Sequence, residues 1–237
     1  MLQQLLLSGA LCNDASLSLN SNGPDFTGDP TEIALLVSAV KGGILQAEAA
    51  RQYPRLDAIL FDSKNQFMAT LHEVDGRKIV FIKGALEVVL AHSSSVYIGQ
   101  GKRNESLEME KIQGSADGMA SQGMRVLAFA YKELSAQTVT LDESSLEKDW
   151  VFLGLQGMID PPRLEAAAAV DACLRAGISV KMITGDHPLT AAAIAREIGI
   201  ITAERPAADQ TISGKDLAAL SDRELIEKVE QINVFSR

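Results

Sequence analysis

Apolar positions along this chain change their spacing as the chain proceeds. Residues 1–12 (MLQQLLLSGALC) carry leucines at helical spacing and predict an amphipathic helix. Residues 13–28 (NDASLSLNSNGPDFTG) are rich in Asn, Ser, Gly and Asp and read as loop. Asp29-Pro30-Thr31-Glu32 then opens an apolar run to Lys41, which predicts a helix with Asp29 as N-cap and Pro30 at its first position. Glu32 stands at the third position, and Gly42 is the expected closing glycine. Residues 55–83 alternate with period two. LDAILF, QFMATLHEV and RKIVFIK are separated by Asp62-Ser63-Lys64-Asn65 and by Asp75-Gly76, the latter a hairpin signal. Helices are expected over 85–92 and 105–122, a strand over 124–134, and a polar loop or short helix over 135–149.

After residue 150 strands and helices alternate instead. The pattern predicts strand 151–157, helix 163–176 ending at Gly177, strand 178–183, helices 188–199 and 215–230, and strand 232–235. That order implies a parallel sheet. The expected organisation is therefore an α+β domain over 1–155, with an antiparallel sheet and helices, and an α/β region over 156–237.

At 237 residues, with 46% apolar and 22% charged residues, the composition is that of a globular protein. Aromatics are only 5%, so Leu, Ile, Val and Ala must build the core. A net charge of −9 argues against nucleic acid as a partner but leaves room for one small anion held by a few local cations. Cys12 and Cys173 lie far apart in apolar surroundings and read as buried free thiols in a reducing compartment. No run approaches the ~18–20 apolar residues of a membrane span, and the N-terminal leucines lack the positive flank of a signal peptide.

Two acidic positions each close an apolar run and open a helix. Thr184-Gly185-Asp186 follows Val180–Ile183, so Thr184 is expected at the carboxyl end of a parallel strand, where open α/β sheets bind ligands. Its hydroxyl can donate to a phosphate oxygen, Gly185 lets the backbone approach, and Asp186 can cap the next helix. The plain alternative is a helix cap after a strand. Asp160-Pro161-Pro162-Arg163 likewise reads either as a rigid turn capping helix 163–176 or as a phosphate or hinge element. Glu32 fits a capping box as readily as a ligand contact on local propensity.

The strings TGDHPLTAAAIAREIGI and GLQGMIDPPR resemble the Thr-Gly-Asp and hinge segments of P-type cation-transporting ATPases. Upstream motifs fall in that family's order. Asp29-Pro-Thr-Glu-Ile-Ala-Leu, Ile59-Leu-Phe-Asp-Ser, Phe81-Ile-Lys-Gly-Ala and Gly123-Met-Arg-Val-Leu-Ala-Phe-Ala resemble its nucleotide-domain motifs. The resemblance runs from about residue 5 to Arg237 and looks most like the type II, calcium- and sodium-pump-like branch. It implies a nucleotide-binding (N) domain over 1–155, then part of a haloacid-dehalogenase-like phosphorylation (P) domain over 156–237. It also implies ATP and Mg²⁺ as cofactors. Phe61 would stack on adenine, Glu32 would accept from the adenine amino group, and Lys83, Gly84 and Arg125 would line the nucleotide path. Asp160, Arg163, Thr184, Gly185 and Asp186 would form the phosphate and hinge region.

Two positions depart from the family pattern. Leu86 replaces the proline after Lys-Gly-Ala, and Gln66 stands where the family has a second lysine, which predicts ATP binding in the range of about tens of micromolar or weaker. No Asp-Lys-Thr-Gly-Thr occurs in the sequence. The resemblance therefore implies that the phosphorylated Asp and most Mg²⁺ ligands belong to other parts of a membrane pump, of which this is a cytosolic portion that does not complete the chemistry alone. Missing the nucleophile strand, the second region is expected to show a sheet edge beside residues 178–183, open to self-association. The competing classes are a stand-alone phosphatase of the haloacid-dehalogenase type, which needs an Asp-x-Asp nucleophile, and an interaction module without nucleotide.

Overall fold

The computed structural model describes residues 1–237 except 21, 22, 100, 101, 105, 160, 161, 203 and 237, and describes the backbone alone at 19, 20, 24 and 102–104. The chain divides into two compact units, one of residues 1–113 and 126–156, the other of 114–125 and 157–237.

The first unit is built on a seven-stranded sheet. It contains β3 (Arg55–Ile59), β4 (Phe67–Val74), β5 (Arg77–Gly84), β6 (Ser93–Gly99), β7 (Lys102–Asn104), β8 (Arg125–Leu134) and β9 (Trp150–Met158). The spatial order is β3-β4-β5-β8-β9-β6-β7. Strands β3, β4, β5 and β8 pair antiparallel, whereas β6 runs parallel to β9. Asp75 and Gly76 both take positive φ, 49° and 72°, the two-residue turn their sequence predicts between β4 and β5.

Helices α1 (Leu2–Leu11), α2 (Pro30–Lys41), α3 (Gln46–Gln52) and α4 (Leu86–His92) accompany this sheet. Leu11, Cys12, Ala49, Met68 and Phe81 form one buried cluster, and Ala10, Ala15, Leu36 and Ala39 form another. Trp150 is fully buried, stacks on His92 with ring centroids 4.7 Å apart, and donates its indole N–H to the Leu146 carbonyl at 2.6 Å. The core thus spends its one tryptophan where its single polar atom is satisfied.

The structure changes several sequence expectations here. Residues 13–28 are not simply loop. They form a hairpin of β1 (Ser16–Asn20) and β2 (Gly23–Thr27), with Leu17 opposite Phe26. The Ser/Leu alternation outweighed the turn-rich composition. Helix α2 begins as predicted, with Asp29 accepting from the Thr31 N–H at 2.8 Å. Its left-handed closing residue is Gly43 (φ 81°), one position beyond Gly42, and the Ile44 N–H returns to the Ala39 carbonyl at 2.9 Å. Strand 151–157, expected to open the α/β series, instead lies inside the seven-stranded sheet as part of β9.

The second unit holds α5 (Met109–Ala120) for most of its length, α6 (Leu164–Arg175), α7 (Pro188–Glu197), α8 (Gly214–Ala218) and α9 (Asp222–Lys228). Its sheet contains β10 (Met182–Ile183), β11 (Thr211–Ser213) and β12 (Val234–Ser236), all parallel, in the order β10-β12-β11. Val170, Ala191, Ala192, Ala195, Ile200, Ile201 and Val234 form its core. The strand expected over 178–183 shrinks to two residues, with β10 at the sheet edge and Ile183 exposed. The single helix expected over 215–230 is two, because Ser221 starts a new one with a capping box to Glu224. The Lys181 ammonium donates to the carbonyls of Val229, Glu230 and Ile232, fixing the turn that delivers β12 to β10. Cys12 is buried, but Cys173 is only half-buried, against expectation. No single helix among the described residues is long and apolar enough to cross a membrane.

Candidate functional site

Glu32 and Lys83 come from distant parts of the chain and meet. Lys83 lies near the end of β5, opposite Met68 on β4 and Phe129 on β8. It is not a solvated strand end, because it is only 6% exposed. Glu32 sits in the first turn of α2, where the helix dipole favours a carboxylate. Lys83 Nζ donates to Glu32 Oε1 in an ion pair.

Glu32 does not make the capping box its position allows. Its Oε2 instead accepts the backbone N–H groups of Asp14 and Ala15, both at 3.1 Å. Those two amides belong to the turn after α1. Asn13 shapes that turn. Its amide nitrogen donates to the Gly9 and Glu32 carbonyls, both at 3.0 Å, and its side-chain oxygen accepts from the Ala15 N–H at 2.8 Å. Arg55 on β3 adds an ion pair to Asp14 at 2.7 Å. None of Asn13, Asp14 or Arg55 was singled out by sequence. The available signal was a polar Asn-Asp pair placed directly after an apolar helix.

A buried polar row continues under the same helices. Cys12 Sγ donates to the Met68 carbonyl at 3.4 Å, and burial pushes its thiol pKa up, against the opposing pull of the nearby Lys83 ammonium. His72 Nδ1 faces the Tyr53 carbonyl and Nε2 faces the Thr70 hydroxyl, each at 2.9 Å. A carbonyl only accepts, so Nδ1 carries the proton and Nε2 accepts from Thr70. Burial lowers the His72 pKa to about 4, so the ring is neutral at pH 7.

The connection after β3 presents the aromatic candidate. Strand β3 ends at Ile59, and Leu60 and Phe61 are each 63% exposed. Phe61 is therefore not a core residue. The Gln66 N–H donates to the Asp62 carbonyl at 2.7 Å, and the Gln66 carbonyl accepts from Ala85 at 3.0 Å. These two bonds bring the Phe61 loop and the Lys83-Gly84-Ala85 strand end together. Gly84 has no space for a side chain, because a Cβ there would lie 2.6 Å from the Gln66 carbonyl oxygen and 2.8 Å from the Phe67 Cβ. So Glu32, Lys83, Gly84, Gln66 and the Phe61 loop share one end of the first unit's sheet.

The other candidates lie in the second unit. Arg125 is its last residue before the chain enters the rest of β8, and it is exposed. Thr184 follows β10, and its backbone N–H donates to the Phe235 carbonyl at 2.9 Å. Its hydroxyl donates to Asp186 Oδ2 at 2.7 Å and accepts from the Asp186 N–H at 3.2 Å. The expected cap is displaced by one residue. His187, not Asp186, caps α7 by accepting from the Leu189 N–H at 3.3 Å, because the Asp186 carboxylate is turned back to Thr184. Arg163 is exposed at the N-cap of α6, and Asp160 lies outside the described residues.

The family model described as the P-type ATPase cytoplasmic domain N matches residues 1–165. The chain belongs to the P-type ATPase family. Over 237 residues it is 46% identical to "Cation-transporting ATPase pma1" of Synechocystis sp., covering all of this chain and 26% of that protein. It is 40% identical over 232 residues to "Probable cation-transporting ATPase F" of Mycobacterium tuberculosis, covering 98% of this chain and 26% of that protein. "Calcium-transporting ATPase" of Bacillus subtilis is 37% identical over 239 residues, covering 100% of this chain and again 26% of the relative. The chain thus spans about a quarter of the length of these relatives, 26% of each.

Within this P-type ATPase chain, the stretch matched as domain N contains Glu32, Phe61, Gln66, Lys83, Gly84, Arg125, Asp160 and Arg163. Thr184, Gly185 and Asp186 lie beyond it. The matched stretch also contains the whole seven-stranded mixed sheet, so an α+β domain is what the family and the fold have in common.

Proposed function

We propose that this chain is the ATP-binding cytosolic portion of an ATP-driven cation pump of the type II branch. Residues 1–155 form its N domain, and 156–237 form part of a haloacid-dehalogenase-like P domain. The observation that carries the reading is the Glu32–Lys83 pair, placed at the same sheet end as an exposed Phe61 and a glycine that admits no side chain.

The donor set fits an adenine nucleotide. Phe61 offers an aromatic face to the base. Glu32 Oε2 is filled by two backbone N–H groups, and Oε1 takes one bond from Lys83, which leaves Oε1 one lone pair for the adenine amino group. Lys83 supplies a fixed positive charge, and Gln66 a neutral amide where a second cation would bind more strongly. In the second unit, Arg125, Asp160, Arg163, Thr184, Gly185 and Asp186 are the phosphate and hinge residues of this reading. ATP supplies the phosphoryl group, and in the complete pump it is delivered to an aspartate outside these residues. Among the described residues no group of three or more His, Cys, Asp or Glu side chains is arranged to hold a metal ion. In this reading Mg²⁺ accompanies the nucleotide as its counterion, with most of its protein ligands in other parts of the pump. The remaining pump domains are the natural partners. The open edge at β10 is a second contact surface, through which isolated copies would associate; concentration-independent monomers in gel filtration, with ordered 178–235, would rule that out.

Calorimetric or NMR titration with ATP tests the reading. Saturable binding is expected in the wild-type chain, weakened in both Phe61→Ala and Lys83→Ala. Absence of binding at millimolar ATP would overturn it.

A further inference from the structure

The geometry points to Asn13 as a positioning residue of the nucleotide site, acting through Glu32 on Lys83; this rests on the nucleotide reading above. Asn13 is 5% exposed. A helix-terminal Asn needs only the bond to Gly9, four residues back, to finish α1. The other two bonds do something else. Its amide nitrogen also donates to the backbone carbonyl of Glu32 itself. Its oxygen takes the Ala15 N–H, which folds the chain so that the Asp14 and Ala15 amides both meet Glu32 Oε2. Glu32 is thus gripped at its backbone by Asn13 and at its carboxylate by the turn Asn13 shapes.

That grip decides where Lys83 points. A lysine ammonium sits on a flexible four-carbon stem and stays in one place only if a partner holds it. Here the partner is Glu32 Oε1, and Glu32 has its other oxygen fixed. Without Asn13, the Asp14–Ala15 amides lose their common direction, Glu32 regains rotamer freedom, and Lys83 is no longer presented at the sheet end. Asn13 touches neither base nor phosphate in this scheme.

The test compares the chain with Asn13→Ala, Asn13→Asp and Leu6→Ala, at a temperature where circular dichroism shows each folded. Leu6 is buried on the same helix, so its truncation lowers stability without removing any of these hydrogen bonds. Two readouts are taken: the acylation rate of the Lys83 amine by acetic anhydride in nucleotide-free protein, and the ATP dissociation constant. Asn13→Ala is expected to speed Lys83 acylation and to weaken ATP binding by about fivefold or more, the value of one to two hydrogen bonds. Asn13→Asp keeps an acceptor for Ala15 but loses both donations and adds a like charge beside Glu32, so it matches or exceeds that loss. Leu6→Ala changes neither readout. Wild-type values for both readouts in Asn13→Ala would overturn the proposal and leave Asn13 a helix terminus. If the wild type binds no ATP, the nucleotide reading fails, while the acylation rates still decide the positioning role. One measurement needs no variant: on adding ATP to wild type, the Asn13 side-chain amide signals move with those of Lys83, and static Asn13 signals beside moving Lys83 signals would also overturn it.

Discussion

Lys83 and Glu32 form an ion pair almost closed to solvent, their side chains 8% and 16% exposed, yet the two partners are not equally dependent on each other. Glu32 has two backbone N–H donors besides Lys83, whereas Lys83 Nζ, among the described residues, donates to Glu32 alone. Removing the acid therefore strands a buried cation, and removing the cation leaves a carboxylate that is still solvated by the protein. Glu32→Ala is expected to cost about 3 kcal/mol of unfolding free energy, Lys83→Met about 1 kcal/mol, and the double variant less than Glu32→Ala alone. Urea denaturation of the three variants checks this ordering, and a Lys83→Met loss equal to that of Glu32→Ala would refute it.

His72 makes stability depend on pH. Its folded pKa, about 4, lies below the ordinary 6.5 because burial disfavours the imidazolium. Above pH 6.5 the ring is neutral in both folded and unfolded chains, and the contribution is fully present. As pH falls from 6.5 towards 4 the unfolded chain takes up a proton that the folded chain refuses, so stability declines across that window. Below about pH 4 both states are protonated and this dependence ends. The full loss is about 3 kcal/mol. Urea midpoints between pH 7 and pH 4.5 are expected to fall more steeply in wild type than in His72→Phe, which cannot titrate. Parallel slopes would show that His72 is not the group responsible.

How much of this was legible beforehand follows from the range of the forces involved. The β4–β5 turn was readable because Asp75-Gly76 dictates its own backbone. The start of α2 was readable because Asp29 caps a residue two places away. The partners of Glu32 were not, since its local option, the capping box, lost to amides 17 and 18 residues upstream and an ammonium 51 residues downstream. Strand β9 was placed with the wrong sheet because its apolar run is the same whether its neighbours are parallel or antiparallel, and only β6 and β8 decide. Asp186 and His187 compete for one helix start, and a hydroxyl two residues back settled the matter. Each failure is one in which a distant or equally local partner outbid the pattern.

The two thiols are expected to differ in reactivity. Cys12 is buried, hydrogen-bonded to the Met68 carbonyl, and its pKa is raised by burial, all of which keep it a thiol shielded from reagents. Cys173 is half-buried on α6. Titration of the native chain with an aromatic disulfide reagent should show one thiol reacting fast and the second only after denaturation. Cys173→Ser should abolish the fast phase. Loss of the fast phase in Cys12→Ser instead would contradict the burial of Cys12.

Gly84 links the fold to the candidate site, and a single methyl group tests the link. Its place opposite Phe67 brings the backbone of β4 so close that an added Cβ would meet the Gln66 carbonyl at 2.6 Å and the Phe67 Cα at 3.0 Å. Backbone cannot swing aside as a side chain can, so the strand end must separate from the Gln66 loop. Gly84→Ala should therefore lose about 1–3 kcal/mol of stability and displace the loop that carries Phe61. Gly114 is the control, since it lies inside α5 with open space where its Cβ would go. Gly114→Ala should gain about 0.5–1 kcal/mol from lower backbone entropy in the unfolded chain. Thermal melts give the two signs, and amide NMR shifts around Phe61, moved by Gly84→Ala and unmoved by Gly114→Ala, show whether the strand end holds the loop.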